Sequence, residues 1–330
     1  MEQITEKAIE QTDKKRLLKE SLLYFALFMT LDIIMYCLFV RNNPHYDCVG
    51  YFVAFITLIP VASAVLVENG FDFKKIAKSK FNLAYMIFLA ATIVALILKD
   101  ENVQILDTTY CIGGLLGLFV LISVLKDKKL LGNLSLKSFF MWVVLILLLK
   151  SLEMSLFNLY VQGYVHIYDN ILASNIGAVF FSFGSITFNL FYVMGEEYGW
   201  RYFLQPRLQS GIGKVRGVLL TGLVWGIYHM PMYIIIGAEE LTYSLALVFV
   251  FCICMGVFLG LCYMKTNSVI LVSTLHFVNN EFVTCFFDAI SNGKGDYWRY
   301  HLSAECYMVL IVIDFIVYMP FLLAKEYRLE

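Results

Sequence analysis

Residues 241–264 read LTYSLALVFVFCICMGVFLGLCYM, twenty-four consecutive positions without a Lys, Arg, Asp, Glu or His. At about 1.5 Å per residue a helix of that length exceeds the hydrocarbon core of a bilayer, about 30 Å. Runs of the same character recur on both sides. They fall at about 21–40, 50–67, 81–98, 106–125, 138–160, 171–195, 216–236, 267–288 and 304–324, with 241–264 making a tenth. The whole chain of 330 residues is 60% hydrophobic and 15% charged, against about 25% charged for an ordinary soluble domain. A lipid-exposed backbone must satisfy its own hydrogen bonds, and the alternating pattern of a barrel is absent, so the segments are expected to be helices. The fold class is therefore all-α, a polytopic transmembrane bundle of 8 to 10 spans. The 106–125 run starts weakly polar, and the 138–160 run contains Lys150 and Glu153, so these two spans are the weakest.

Positive charge sorts the connections. Five basic residues lie in 1–20, four at Lys74 to Lys80 and four at Lys126 to Lys137. None falls near 161–170 or 237–240, and the chain closes with Lys325 and Arg328. The positive-inside rule then places both termini in the cytoplasm. Residues 1–20 lack a short apolar core with a cleavage site, and are expected to be a cytosolic amphipathic lead-in. Residues 21–330 are expected to form a single membrane domain. A net charge of −1 gives no field that would gather nucleic acid. The eight cysteines show no metal or disulfide spacing and read as small buried hydrophobes.

Ionisable groups at membrane depth are costly, so each is a functional candidate with a partner to be named. The densest set lies within a core at about 171–290. In Gly195-Glu196-Glu197-Tyr198-Gly199-Trp200-Arg201 a continuing helix puts Glu197 and Arg201 at i, i+4 on one face and turns Glu196 elsewhere. In Trp225-Gly226-Ile227-Tyr228-His229 the same spacing sets an indole beside an imidazole, and in His276-Phe277-Val278-Asn279-Asn280 it pairs His276 with Asn280. Counted inward from the chain breaks, Glu196 lies about 15 Å deep, His229 about 20 Å and His276 about 14 Å. The three elements are expected to meet in one polar pocket suited to activating water. A divalent metal, zinc by donor type, would take Glu196, His229 and His276 and leave a position for water. A metal-free arrangement has Glu196 and His229 polarise water while His276 and Asn280 stabilise the oxyanion. Each element alone also has a structural reading, as a helix-end ion pair or as interhelical polar contacts. Asp32 and Asp314 read as partnered bundle contacts, Lys150 with Glu153 as a buried pair, and His45, His166 and His301 as loop residues.

The order of these elements resembles the CAAX prenyl protease and bacteriocin-processing (CPBP, or Abi) family of intramembrane endopeptidases. Its motifs are EExxxR, FxxxH and HxxxN or HxxxD on successive membrane segments. Here they read Glu196-Glu197 with Arg201, Trp225 with His229, and His276 with Asn280. The resemblance implies a hydrolase in which Glu196 activates the attacking water, Glu197 and Arg201 support it, and His229, His276 and Asn280 complete the site. It further implies membrane lipid as surroundings, a bacterial cell membrane as location, and as substrate a prenylated C-terminus or a leader or signalling peptide. Trp225 replaces the usual Phe, and Tyr202 stands where the family often has Gly. Other readings of the same residues are a catalytically silent scaffold or regulator and a proton- or cation-coupled transporter.

Overall fold

The computed structural model describes residues 2–40, 49–99, 104–162, 167–236, 240–290 and 302–328. Among them no strand occurs. Helix α1 (Glu2–Val40) runs unbroken through the charged lead-in and the first apolar run. There follow α2 (Val49–Ile56), α3 (Leu58–Glu68), the short α4 (Phe73–Ile76), α5 (Lys80–Leu98), α6 (Gln104–Lys126), the short α7 (Lys128–Leu131) and α8 (Leu136–Gln162). Helix α9 (Ile167–Glu197) leads through a π-helix (Tyr198–Leu204) into α10 (Gln205–Ile212). Then come α11 (Lys214–Ile236), α12 (Leu241–Thr266), α13 (Val269–Ile290), α14 (Ala304–Tyr318), a 3-10 turn (Met319–Leu323) and α15 (Lys325–Arg328).

Nine helical segments among the described residues are long and apolar enough to cross a membrane, the weak 106–125 and 138–160 runs included. Helix α9 fills the tenth expected run. The bundle turns large apolar side chains outward, among them Leu22, Leu115, Leu136 and Phe180. Such a surface suits lipid, not water.

One expected helix is divided. The 50–67 run breaks at Thr57, between α2 and α3. Pro60 lies in the first turn of α3 and has no N–H for the carbonyl of Ile56, so the hydrogen-bond ladder ends there. The cysteines also depart in part from expectation. Cys252, Cys254 and Cys262 are buried, but Cys37 and Cys111 are exposed on the bundle's outside. Cys48, His45, His166 and His301 lie outside the described residues.

Helix α9 packs along α13, and α11 along α12. Between them the core is aromatic: Trp200 meets Tyr24 at 6.1 Å, Phe28 at 5.4 Å and Tyr228 at 5.7 Å, each near edge-to-face. Those contacts tie α1, the π-helix and α11 into one unit, in the geometry the ring quadrupoles favour. At the other end of α10, Gly213 takes φ +93°, a backbone state that admits glycine and turns the chain into α11.

Candidate active site

The acidic pair sits where α9 gives way to the π-helix. A π turn widens the helix by one residue per turn, and such turns collect at functional sites. Its near face is pressed against the break at Thr57. A Cβ on Gly195 would stand 2.7 Å from the carbonyl oxygen of Thr57, and one on Gly199 would collide with Pro60. The two glycines therefore let α3 reach the backbone beside Glu196 and Glu197, in the manner of small-residue contacts between membrane helices.

The two glutamates have different surroundings. Glu197 is fully buried, with Oε2 at 3.3 Å from Arg201 Nε and Oε1 accepting from His276 Nδ1 at 2.9 Å. Arg201, also fully buried, lies 4.9 Å from the centroid of the Trp225 ring. None of its guanidinium nitrogens is in hydrogen-bonding geometry, so it is held by charge and by the ring face. Glu196 instead lines a cavity of about 250 Å³, shared with Trp225, Tyr228, His229, His276, Asn279 and Asn280. Its Oε2 accepts from the indole Nε1–H of Trp225 at 3.1 Å.

The imidazoles are oriented through their Nδ1 atoms. His229 Nδ1–H donates to the carbonyl of Trp225 at 2.9 Å, one turn back on α11. Two residues on, Pro231 removes the N–H that would have bonded the carbonyl of Ile227, so the helix is locally relaxed just past His229. His276 Nδ1–H donates to Glu197, which fixes the tautomer and leaves Nε2 for the cavity. Trp225 stands between the elements, its ring 5.1 Å from His276 and 5.9 Å from His229.

All six residues singled out by the sequence thus come together. Glu196, His229, His276 and Asn280 line the cavity, while Glu197 and Arg201 stand behind it. Asn280 is exposed and accepts from the side-chain amide of Asn279 at 3.0 Å. Asn279, buried and also on the cavity wall, went unnoticed in the sequence because the i, i+4 pattern pointed to its neighbour. Lys150, Glu153 and Asp314 belong to the same lining. The donor types of Glu196, His229 and His276 suit zinc, but among the described residues no three His, Cys, Asp or Glu side chains converge closely enough to hold a metal ion. The set does not fit a bound metal as arranged.

Fold and site together define a polytopic helical membrane protein whose buried cavity pairs a carboxylate with two imidazoles. Residues 179–282 match a family model described as Rce1-like, type II CAAX prenyl endopeptidase Rce1-like. The matched stretch covers well under half of the chain and contains all six candidate residues, so the likeness lies in the same helices that the motifs marked. A search among curated proteins gave no match.

Proposed function

We propose that this protein is an intramembrane endopeptidase that hydrolyses a peptide bond with water activated by Glu196. The observation that carries the proposal is the division between the two adjacent glutamates: Glu197 is consumed by Arg201 and His276, whereas Glu196 faces the cavity, its Oε2 accepting from Trp225 and its carboxylate beside the Tyr228 hydroxyl. A general base must reach its proton, and of the pair only Glu196 does so. Glu196 takes a proton from water as the oxygen attacks the peptide carbonyl carbon. The resulting oxyanion is met by amide N–H groups of the Asn279–Asn280 pair, and by the Nε2–H of His229 or His276 in its doubly protonated, imidazolium form. Glu196 then gives the proton to the amine as the carbon–nitrogen bond breaks, so one water is divided between the two products. Glu197 and Arg201 act at one remove, by fixing His276.

The family match supports a substrate with a prenylated C-terminus, and a leader or signalling peptide is the other class to be assayed. The positive-inside arrangement, with both termini in the cytoplasm and the cavity reached from that side, belongs to the same proposal. A metal bound at Glu196, His229 and His276 would require these side chains to close on it.

The test is cleavage of prenylated and leader-type peptides by the detergent-purified protein, compared with Glu196→Gln and His229→Ala, with metal content measured in the same samples. Cleavage by the parent protein and its loss in a folded Glu196→Gln protein support the peptidase. Stoichiometric zinc, lost in His229→Ala, would bring the metal into the mechanism. Absence of cleavage of either class by folded parent protein would overturn the peptidase reading in favour of a silent scaffold or a cation-coupled transporter.

A further inference from the structure

The wall shared by α8 and α14 carries charge that the hydrolytic reading leaves unused. Lys150 Nζ bonds Glu153 Oε1 at 2.6 Å, with side chains only 1% and 4% exposed. The other oxygen of Glu153 accepts from the hydroxyl of Tyr318 at 3.0 Å, and Lys150 Nζ lies 5.5 Å over the ring of Phe251. An ion pair with these supports is complete as a structural element. Asp314 is not explained by it. One turn before Tyr318, it is 2% exposed, its Oδ1 has no hydrogen-bond partner, and it lines the cavity with Lys150 and Glu153.

A buried acceptor without a donor costs free energy that folding alone does not recover. The cavity lining holds three carboxyl groups, Glu153, Glu196 and Asp314, and one lysine, Lys150. What the wall lacks at Asp314 is a hydrogen-bond donor, and a cationic donor suits a lining richer in carboxyl groups than in basic ones. At about 250 Å³ the cavity is small, so a group seated at Asp314 belongs to the same molecule as a bond attacked at Glu196.

We propose that Asp314 and Glu153, with Lys150 as their internal counter-ion, form a subsite for a lysine or arginine side chain of the substrate, within a few residues of the cleaved bond. The inference rests on the peptidase reading for its substrate, but its chemistry is independent of catalysis. Asp314 supplies the vacant acceptor, and Tyr318 keeps Glu153 in place. Lys150 prevents two carboxylates from facing each other when no substrate is bound.

The test uses paired membrane-associated peptides, identical except for lysine or norleucine at successive positions around the cleavage site. Binding to the Glu196→Gln protein is read by fluorescence anisotropy, and kcat/KM is read on the parent protein. At one position lysine is expected to improve binding and kcat/KM by about tenfold, the scale of one charge-assisted hydrogen bond. Asp314→Asn in either background is expected to bring the two peptides within about twofold of each other. Equal binding of the lysine and norleucine peptides at every position, read without any variant at 314, overturns the subsite. So does a preference that survives in folded Asp314→Asn protein. A lysine preference in binding without cleavage of any peptide would sustain the subsite and refute the peptidase.

Discussion

The indole nitrogen of Trp225 and the carboxylate of Glu196 are joined from α11 to α9 at 3.1 Å. At this position the family that the motifs resemble usually has Phe, which has no N–H to give. The bond orients the Glu196 oxygen that it holds. Trp225→Phe keeps an aromatic wall and deletes the donor, so kcat/KM should fall about ten- to a hundredfold, from the loss of one hydrogen bond to a charged group. Thermal unfolding in detergent should shift little. Unchanged cleavage would show that the indole only fills space.

The two adjacent glutamates should separate cleanly by substitution. Glu196→Gln should abolish cleavage with little change in unfolding temperature, because its carboxylate serves the cavity. Glu197→Gln should destabilise the fold by about 3–5 kcal/mol, since it leaves the fully buried Arg201 without its counter-charge. A stable Glu197→Gln protein would place the support of Arg201 elsewhere, on the Trp225 ring.

Gly199→Ala would drive a methyl group into Pro60, with the hydroxyl of Tyr24 at 2.7 Å on the same side. Backbone has to give way, so the expected cost is about 1–3 kcal/mol, with lower yield of folded protein. Gly184→Ala makes a control, because a Cβ there meets nothing. Equal stability of the two variants would mean that α3 does not press on the π-helix.

The lead-in docks through Glu20, whose Oε2 is 2.8 Å from Arg207 Nε. Both side chains are partly exposed, so Glu20→Ala should cost no more than about 1 kcal/mol, and less at high salt. Arg207→Ala should cost more, because the guanidinium carbon also sits 3.6 Å from the centroid of Phe203. Paired thermal shifts at low and high salt distinguish the two contributions.

Much of this architecture was legible in residues 195–280, since run length reports spans and i, i+4 spacing reports which side chains share a helical face. The Glu197–Arg201 pair formed as the spacing predicted, even though the turn that carries it is π rather than α. Sequence spacing did not show that Gly195 and Gly199 admit Thr57 and Pro60, because that contact joins segments more than a hundred positions apart. Nor could it tell that Asp314, a lone acid in an apolar run, faces the cavity with an unpartnered oxygen. Asn279 escaped for a local reason: a periodicity names a face, and a cavity wall is wider than one face.

The hydrogen bond from Tyr318 to Glu153 spans 165 positions of chain. During synthesis α8 enters the membrane long before α14 exists, and must do so with Lys150 and Glu153 neutralising each other across less than one helical turn. The last donor to that pair arrives with α14, as does Asp314. Formation of the cavity is therefore one of the later events in biogenesis, so a nascent chain inserted through α13 would hold the acid, both imidazoles and the Lys150–Glu153 pair but lack Asp314 and Tyr318.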